Sequence, residues 1–311
     1  MTNKVAIITD SLGCLPSEVV ARYGIRIVPA NLYFGENVYR DWVDITPTEA
    51  YELFLKNPEG WTTSPAPPTE WLEAYRQAGK QTKSILCVTI SSKLSAMYNM
   101  AKQAKEQIEA EIPEITIEVL DSQTAVIAQG LVTLAAARAA DEGKNLIEVT
   151  KAATEMREKV NFAFLLDTVR YIYRTGRIPK IAAKAGSILN IKPILTTSSG
   201  VVRVVGIARG RNQGIDRLIR MMRDKVGQSS VHVVVTHAYA LDEAERLKER
   251  ISSEFNCTEI WVSEFSPILG YATGTGTLGI AFYKGLPVEG ESDLRRNTSA
   301  SILVADNMCC Q

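Results

Sequence analysis

The first half of the chain alternates short apolar runs with longer amphipathic segments. The runs at residues 5–9, 84–90 and 115–120 have the length of buried strands, and helix-like segments follow them, including an alanine-rich stretch at 126–140. Parallel strands need a crossover connection, usually a helix, so this order predicts a parallel sheet with helices on both faces. We therefore predict an α/β fold whose N-terminal, Rossmann-like domain spans residues 1–160.

The pattern changes after residue 160. Two extended segments, 191–195 and 201–207, flank a Thr-Thr-Ser-Ser-Gly stretch that is typical of a hairpin. Strand-like and helix-like segments then alternate again up to about residue 262. This mixture predicts a mixed α/β domain over residues 161–286. The remaining residues, 287–311, are polar and irregular, and we expect them to form a flexible tail.

The charge balance argues against general attraction to polyanions. Lys and Arg together number 35, as do Asp and Glu, so no excess positive charge attracts nucleic acid or an anionic membrane. No run reaches the roughly 18 apolar residues of a membrane span, and the run at 5–8 is too short for a signal peptide. We expect a soluble cytoplasmic protein with reduced thiols. Its cysteines are scattered: Cys14, Cys87, Cys257, Cys309 and Cys310.

Small polar residues follow three of the predicted strands of the first half. They are the pairs Asp10-Ser11, Ser91-Ser92 and Asp121-Ser122. The carboxyl ends of parallel strands share one edge of the sheet, where ligands bind in open α/β folds. Hydroxyls and helix N-terminal amides there favour an anionic group. The same residues are also ordinary helix caps, and the sequence leaves both interpretations open.

The sequence contains no recognisable catalytic constellation. Its two histidines, His232 and His237, fall in or beside one predicted strand, and no nucleophile elbow or Walker motif is present. No cluster of residues has metal-ligand spacing, so we predict no metal site and no catalytic residue. Residues 274–279 read Gly-x-Gly-x-x-Gly, but no βαβ unit follows them. They indicate a close backbone approach or a permissive loop.

Read together, the motifs resemble the DegV family over residues 4–284. The matching segments, in order, are Thr9-Asp10-Ser11, Thr63-Ser64, residues 90–95, Asp121-Ser122, Leu166-Asp167-Thr168, Gly176-Arg177-Ile178 and residues 186–195. Each short motif is weak alone, whereas the ordered series is specific.

The resemblance implies a ligand cleft between the two domains that holds one long-chain fatty acid, such as palmitate, stearate or oleate, with no cofactor. It places the carboxylate against the hydroxyls of Thr63 and Ser95 and against helix N-terminal amides. Ser64 and Ser92 belong to the same two motifs and are further candidates, and Arg177 is expected near the pocket mouth. The resemblance also implies a non-catalytic protein that presents its fatty acid to a separate fatty acid kinase subunit.

The chain departs from the family pattern at the C-terminal loop. Family members carry a His before the glycines, and this sequence has Ala272, which removes one head-group donor.

Several apolar residues are candidates for lining the tail tunnel or for ordinary core: Phe164, Ile188, Ile191, Ile194 and Phe265. The alternative hypothesis is a small-molecule kinase or phosphotransfer enzyme on a similar scaffold, which would need a phosphate- or metal-binding set.

Overall fold

The structure is a computed structural model that describes residues 5–178 and 191–285. Its strands are β1 (Val5–Asp10), β2 (Arg26–Val28), β3 (Asn31–Phe34), β4 (Asn37–Arg40), β5 (Trp61–Ser64), β6 (Ser84–Thr89), β7 (Thr116–Asp121), β8 (Asn161–Leu165), β9 (Lys192–Ser198), β10 (Val201–Ala208), β11 (Val231–His237), β12 (Cys257–Glu264) and β13 (Leu278–Lys284). Its α-helices are α1 (Ser17–Tyr23), α2 (Pro47–Lys56), α3 (Pro68–Gly79), α4 (Met97–Glu111), α5 (Val126–Asp141), α6 (Leu146–Lys159), α7 (Arg211–Val226), α8 (Leu241–Glu254) and α9 (Pro267–Thr273).

The first sheet has the strand order β2-β1-β6-β7, and all its strands are parallel. Residues 85–89 of β6 are fully buried, so both faces of this strand are covered. The pairs α3–α4 and α5–α6 provide that cover. The predicted N-terminal parallel sheet with helices on both faces is confirmed.

The second sheet has the order β10-β9-β8-β13-β11-β12 and is mixed, because only β11 and β12 run parallel. Helices α7 and α8 cover one face, where Leu218 and Leu247 pack with Val233. The opposite face joins the core of the first sheet, since Val234 and Ala281 belong to the same apolar cluster as helix α5. The two sheets therefore enclose a common interior. The predicted hairpin is present as β9 and β10.

Two sheet regions were not predicted. Strands β4, β3 and β5 form a small antiparallel sheet, and the proline-rich stretch at 62–68, whose composition is typical of a loop, begins within strand β5. Its four residues are too few to show an alternating pattern before the prolines. Strand β13 was also missed, although it lies in the middle of the second sheet. Six consecutive residues, 278–283, are buried there, so no alternation marks the strand.

The glycine motif at 274–279 leads from α9 into β13. Gly274 has φ +79°, and a Cβ there would lie 2.7 Å from Tyr171 Cδ2. Gly276 has φ +78°, and its Cβ would lie 2.9 Å from Asp167 Cβ. The motif therefore provides a close backbone approach, one of the two interpretations of the sequence.

The structure does not test some of the predictions. Ile188, half of the 186–195 motif and the tail at 287–311 lie outside the described residues. The domain limits near 160 and 286 remain a prediction. Within the described ranges, no helix is long and apolar enough to cross a bilayer. Cys14, Cys87 and Cys257 are free thiols.

Candidate ligand-binding site

A cavity of about 370 Å³ lies between the two large sheets. This volume falls in the roughly 300–1,000 Å³ range of small-molecule sites. Its apolar lining is Leu12, Ala30, Pro65, Ile90, Leu94, Ala96, Ala125, Val126, Phe162, Phe164, Ile178, Val202, Phe265, Ile268, Leu269 and Ala272. Its polar lining is Thr62, Thr63, Ser64, Ser95, Arg174, Thr175, Arg177, Thr197, Tyr271 and Thr273. Among the described residues, the lining contains two arginines and no carboxylate.

Aromatic side chains form part of the apolar wall. Phe162 and Phe164 lie two residues apart on β8, so their side chains project from the same face of the strand. Their ring centroids are 5.2 Å apart. Phe265 is buried and also lines the cavity, as the sequence proposed for it and for Phe164. Ile191 and Ile194 do not line it. Ile194 faces the other side of the sheet, in the cluster with α7, and Ile191 packs against the main core.

The hydroxyls of the Thr-Ser pair reach the cavity from the end of β5. Thr63 and Ser64 are half-buried, and Ser64 Oγ lies 3.2 Å from the hydroxyl of Tyr33. The Thr63 hydroxyl has no hydrogen-bond partner among the described residues, so it is free to donate to a ligand. Strand β5 holds the pair in register with β3.

Ser95 approaches the same cavity from the segment before α4. It is half-buried, and its Oγ accepts a long hydrogen bond of 3.4 Å from the N–H of Met97, the first residue of the helix. The first amides of α4 carry the positive end of the helix dipole. Ser95 and Ala96 line the cavity and lie directly before the N-terminus of α4.

Ser92 lies apart from the cavity. Its hydroxyl donates to Asp121 Oδ2 at 2.5 Å, so the ends of β6 and β7 are joined by this bond. Asp10 is likewise occupied within the protein, since its carboxylate accepts from Gln129 Nε2 at 2.8 Å and from the N–H of Ile90 at 2.9 Å. It also caps the short helix Ser11–Gly13. Of the two interpretations of the polar strand ends, helix capping describes Asp10, whereas Ser92 neither caps a helix nor lines the cavity.

Arg177 stands at the rim, and Arg174 lies deeper. Arg177 is exposed, and its Nε donates to the carbonyl of Leu94 at 3.1 Å. The side chain of Arg174 is only 13% exposed, and its Nη1 donates to the carbonyl of Pro58 at 2.8 Å. Sequence reasoning missed Arg174. Arg174 precedes Arg177 by three residues. That spacing places two side chains on one face only in a helix, and this segment is irregular.

Ala272 lies in the last turn of helix α9, whereas the sequence placed it in a loop. The helix begins at Pro267, and the Ser266 hydroxyl caps it by accepting from the N–H of Ile268 at 3.2 Å. It ends at Thr273, because Gly274 has a positive φ that does not continue the helix. Ala272 is half-buried and lines the cavity, so a longer side chain here would extend into it.

Three acidic side chains have a raised pKa, of which Asp10 and Asp41 are buried and Glu264 is half-buried. Burial raises the pKa of Asp41 to about 7, although the Ser266 hydroxyl donates to its Oδ2 at 2.6 Å. Burial also raises the pKa of Asp10 to about 6 and that of Glu264 to about 7. None of these groups lines the cavity. Since Ser266 caps α9, the Asp41 bond ties the start of that helix to the small-sheet region.

The arrangement suits binding of an amphipathic anion. Hydroxyls and arginines share a lining that is largely apolar. His237 lies outside it, and burial lowers the pKa of this residue to about 4, so its imidazole is neutral near pH 7. Among the described residues, no group of three His, Cys, Asp or Glu side chains could hold a metal ion.

Comparison with known proteins gives a consistent result. Residues 4–285 match the family model described as DegV, a family of uncharacterised proteins. A DegV domain-containing protein of Clostridium perfringens is 32% identical over 279 residues, covering 89% of this chain and 98% of that protein. A fatty-acid-binding DegV family protein from Thermus thermophilus superposes with a TM-score of 0.82 at 28% identity, covering 91% of this chain and all of that one. DegV of Bacillus subtilis, a fatty acid binding protein, superposes with a TM-score of 0.81 at 27% identity, covering 91% and 99%.

Proposed function

Since the chain belongs to the DegV family, we propose that it binds a single long-chain fatty acid in the cavity between its two large sheets. One observation carries the proposal: the family's Thr-Ser pair and its serine before α4, Thr63 and Ser95, line the same apolar cavity. Two solved relatives described as fatty-acid-binding share this fold at 28% and 27% identity. Palmitate, stearate and oleate are the expected ligands.

The energetics favour such a ligand. Each buried methylene contributes about 0.8 kcal/mol, so a long alkyl tail contributes more than ~10 kcal/mol before ordering costs. The carboxylate needs partners, because an unpaired buried charge is strongly unfavourable. The Thr63 and Ser95 hydroxyls with the first amides of α4 can supply them.

We further propose that the protein is not itself an enzyme and presents its fatty acid to a separate fatty acid kinase subunit in the cytoplasm. Support comes from the rim, where Arg177 is exposed beside Leu94 and Ser95. A head group held there is accessible to a partner. The described lining residues also include no carboxylate, the usual general base or metal ligand of a phosphotransfer site.

Native mass spectrometry of the recombinant protein tests the proposal. We expect a bound species with the mass of one fatty acid, and acyl phosphate when a compatible kinase subunit and ATP are added. A co-purified nucleotide, or phosphate transfer by the isolated chain, would instead establish the enzyme alternative.

A further inference from the structure

Arg174 is a charged group placed in an unusually apolar position beside the cavity. Its guanidinium carbon lies 4.4 Å from the ring centroid of Tyr171, 5.2 Å from that of Tyr271 and 5.8 Å from that of Phe54. Three aromatic rings thus surround a side chain that is only 13% exposed. Aromatic faces stabilise a cation without neutralising it.

The neutralising charge available to Arg174 is weak. Its Nη2 donates to Glu59 Oε1 at 2.6 Å, but Glu59 is 72% exposed and also lies 3.8 Å from Arg170. Water screens an exposed carboxylate, and sharing it between two arginines leaves each cation only partly compensated. Because no described residue that lines the cavity is acidic, the positive potential of Arg174 extends into the cavity.

The surroundings of Arg174 connect it to the proposed head-group end. The bond from Nη1 to the Pro58 carbonyl joins it to the segment that leads directly into β5, the strand that carries Thr63. On its other side, Tyr271 is the neighbour of Ala272 in helix α9. Arg174 is therefore held between the elements that bear Thr63 and Ala272, and all three residues line one cavity.

We propose that Arg174 is the cation that makes this cavity selective for a carboxylate over an uncharged head group of the same tail. It compensates in this chain for the missing histidine at Ala272, and Thr63 and Ser95 then need only orient the carboxylate. This inference rests on the proposed function, because it names the group that selects the head of the same ligand.

The test uses a ligand pair that differs only in head-group charge: dodecanoate and dodecanol, titrated calorimetrically at pH 8 into delipidated protein. We expect Arg174→Gln to weaken dodecanoate binding at least tenfold and dodecanol binding less than threefold. Arg174→Lys should recover most of the acid affinity. The matched control is Arg223→Gln, because Arg223 also lies over a ring, that of Phe255 at 5.5 Å, and pairs with Glu254, but lies outside the cavity. It should change neither affinity.

A second variant keeps the inference testable if Arg174→Gln fails to fold. Glu59 is exposed, so Glu59→Gln should fold normally and, by freeing Arg174, strengthen dodecanoate binding two- to threefold without affecting dodecanol. Equal losses for acid and alcohol in Arg174→Gln, or no change in Glu59→Gln, would overturn the inference and leave the proposed function standing. A wild-type protein that binds neither ligand would overturn both.

Discussion

The Ser91 hydroxyl donates a hydrogen bond of 2.8 Å to the carbonyl of Gly200, joining the end of the first sheet to the tip of the β9–β10 hairpin. Lys93 Nζ donates to the neighbouring Ser199 carbonyl at 2.9 Å. Thr197 and Val202, on either side of this tip, line the cavity. The Ser91–Gly200 contact therefore fixes one cavity wall to the sheet opposite.

Gly200→Ala should break this contact. Gly200 has φ +82°, and a Cβ there would lie 2.6 Å from Ser91 Oγ. The matched control is Gly143→Ala, because Gly143 has φ +79° but open space around it. The backbone cost of about 1–2 kcal/mol is common to both, and overpacking adds about 1–3 kcal/mol only at Gly200. Equal free energies of unfolding for the two variants in urea would show that the hairpin tip is not held against Ser91.

Removal of the two proposed head-group hydroxyls should weaken fatty-acid binding. Thr63→Val with Ser95→Ala keeps the side-chain shapes and leaves a charged acceptor underpaired, at a cost of about 1–3 kcal/mol in calorimetric affinity. Thr69→Val with Ser252→Ala, which removes two exposed hydroxyls from α3 and α8, serves as the control. Unchanged binding by the first double variant would mean that the carboxylate lies elsewhere.

Ala272→His should add a head-group partner. The side chain would project from the last turn of α9 into the cavity, and binding should tighten most below pH ~6.5, where imidazole is protonated. Acyl-phosphate formation with a compatible kinase subunit should also rise. Melting temperatures with and without oleate check the affinity claim. A variant that melts lower and gains no extra stabilisation from oleate would show that the histidine only overfills the packing.

The Asp41 carboxyl should make stability fall as pH rises. Burial raises its pKa to about 7 in the folded protein, so the folded state holds a proton that the unfolded chain, with a pKa near 3.8, has released. Its contribution is therefore present at low pH and is lost through pH 7, at a cost of roughly 1–1.5 kcal/mol between pH 6 and pH 8. Asp41→Asn can retain the Ser266 bond and should show a shallower fall, with only the contributions of Asp10 and Glu264 left. Parallel pH profiles of unfolding free energy for the two proteins would refute this.

Several elements could be predicted because their local signals agree with the tertiary structure. Residues 46–49 predict a capping box, and the structure has both of its bonds, since the Glu49 N–H donates to Thr46 Oγ1 and the Thr46 N–H donates to Glu49 Oε2. Strands β1 and β6 are short and apolar because both faces are buried. In these elements, the residues that favour the local helix or strand are the same residues that suit its burial in the folded protein.

Other features depend on contacts between distant segments, which a single sequence does not display. Strand β13 takes its place only by pairing with β8 and β11. Thr63, Ser95 and Ala272 could be named from the ordered motifs, but Ser92 could not be excluded, because its commitment to Asp121 arises from the pairing of β6 with β7. Arg174 acquires its environment from Tyr171, Tyr271 and Glu59, which come from three separate regions of the chain.

The most direct test of fatty-acid binding in the cavity is a calorimetric titration of delipidated protein with oleate, for the wild type and for Ala125→Phe. Ala125 lines the cavity in extended backbone before α5, so a phenylalanine is sterically compatible with the backbone and would fill space that the tail needs. We predict saturable binding of one oleate per wild-type chain and at least tenfold weaker binding by Ala125→Phe, with an unchanged melting temperature of the free proteins. No saturable binding by the wild type, or equal affinity in a folded Ala125→Phe variant, would contradict the account.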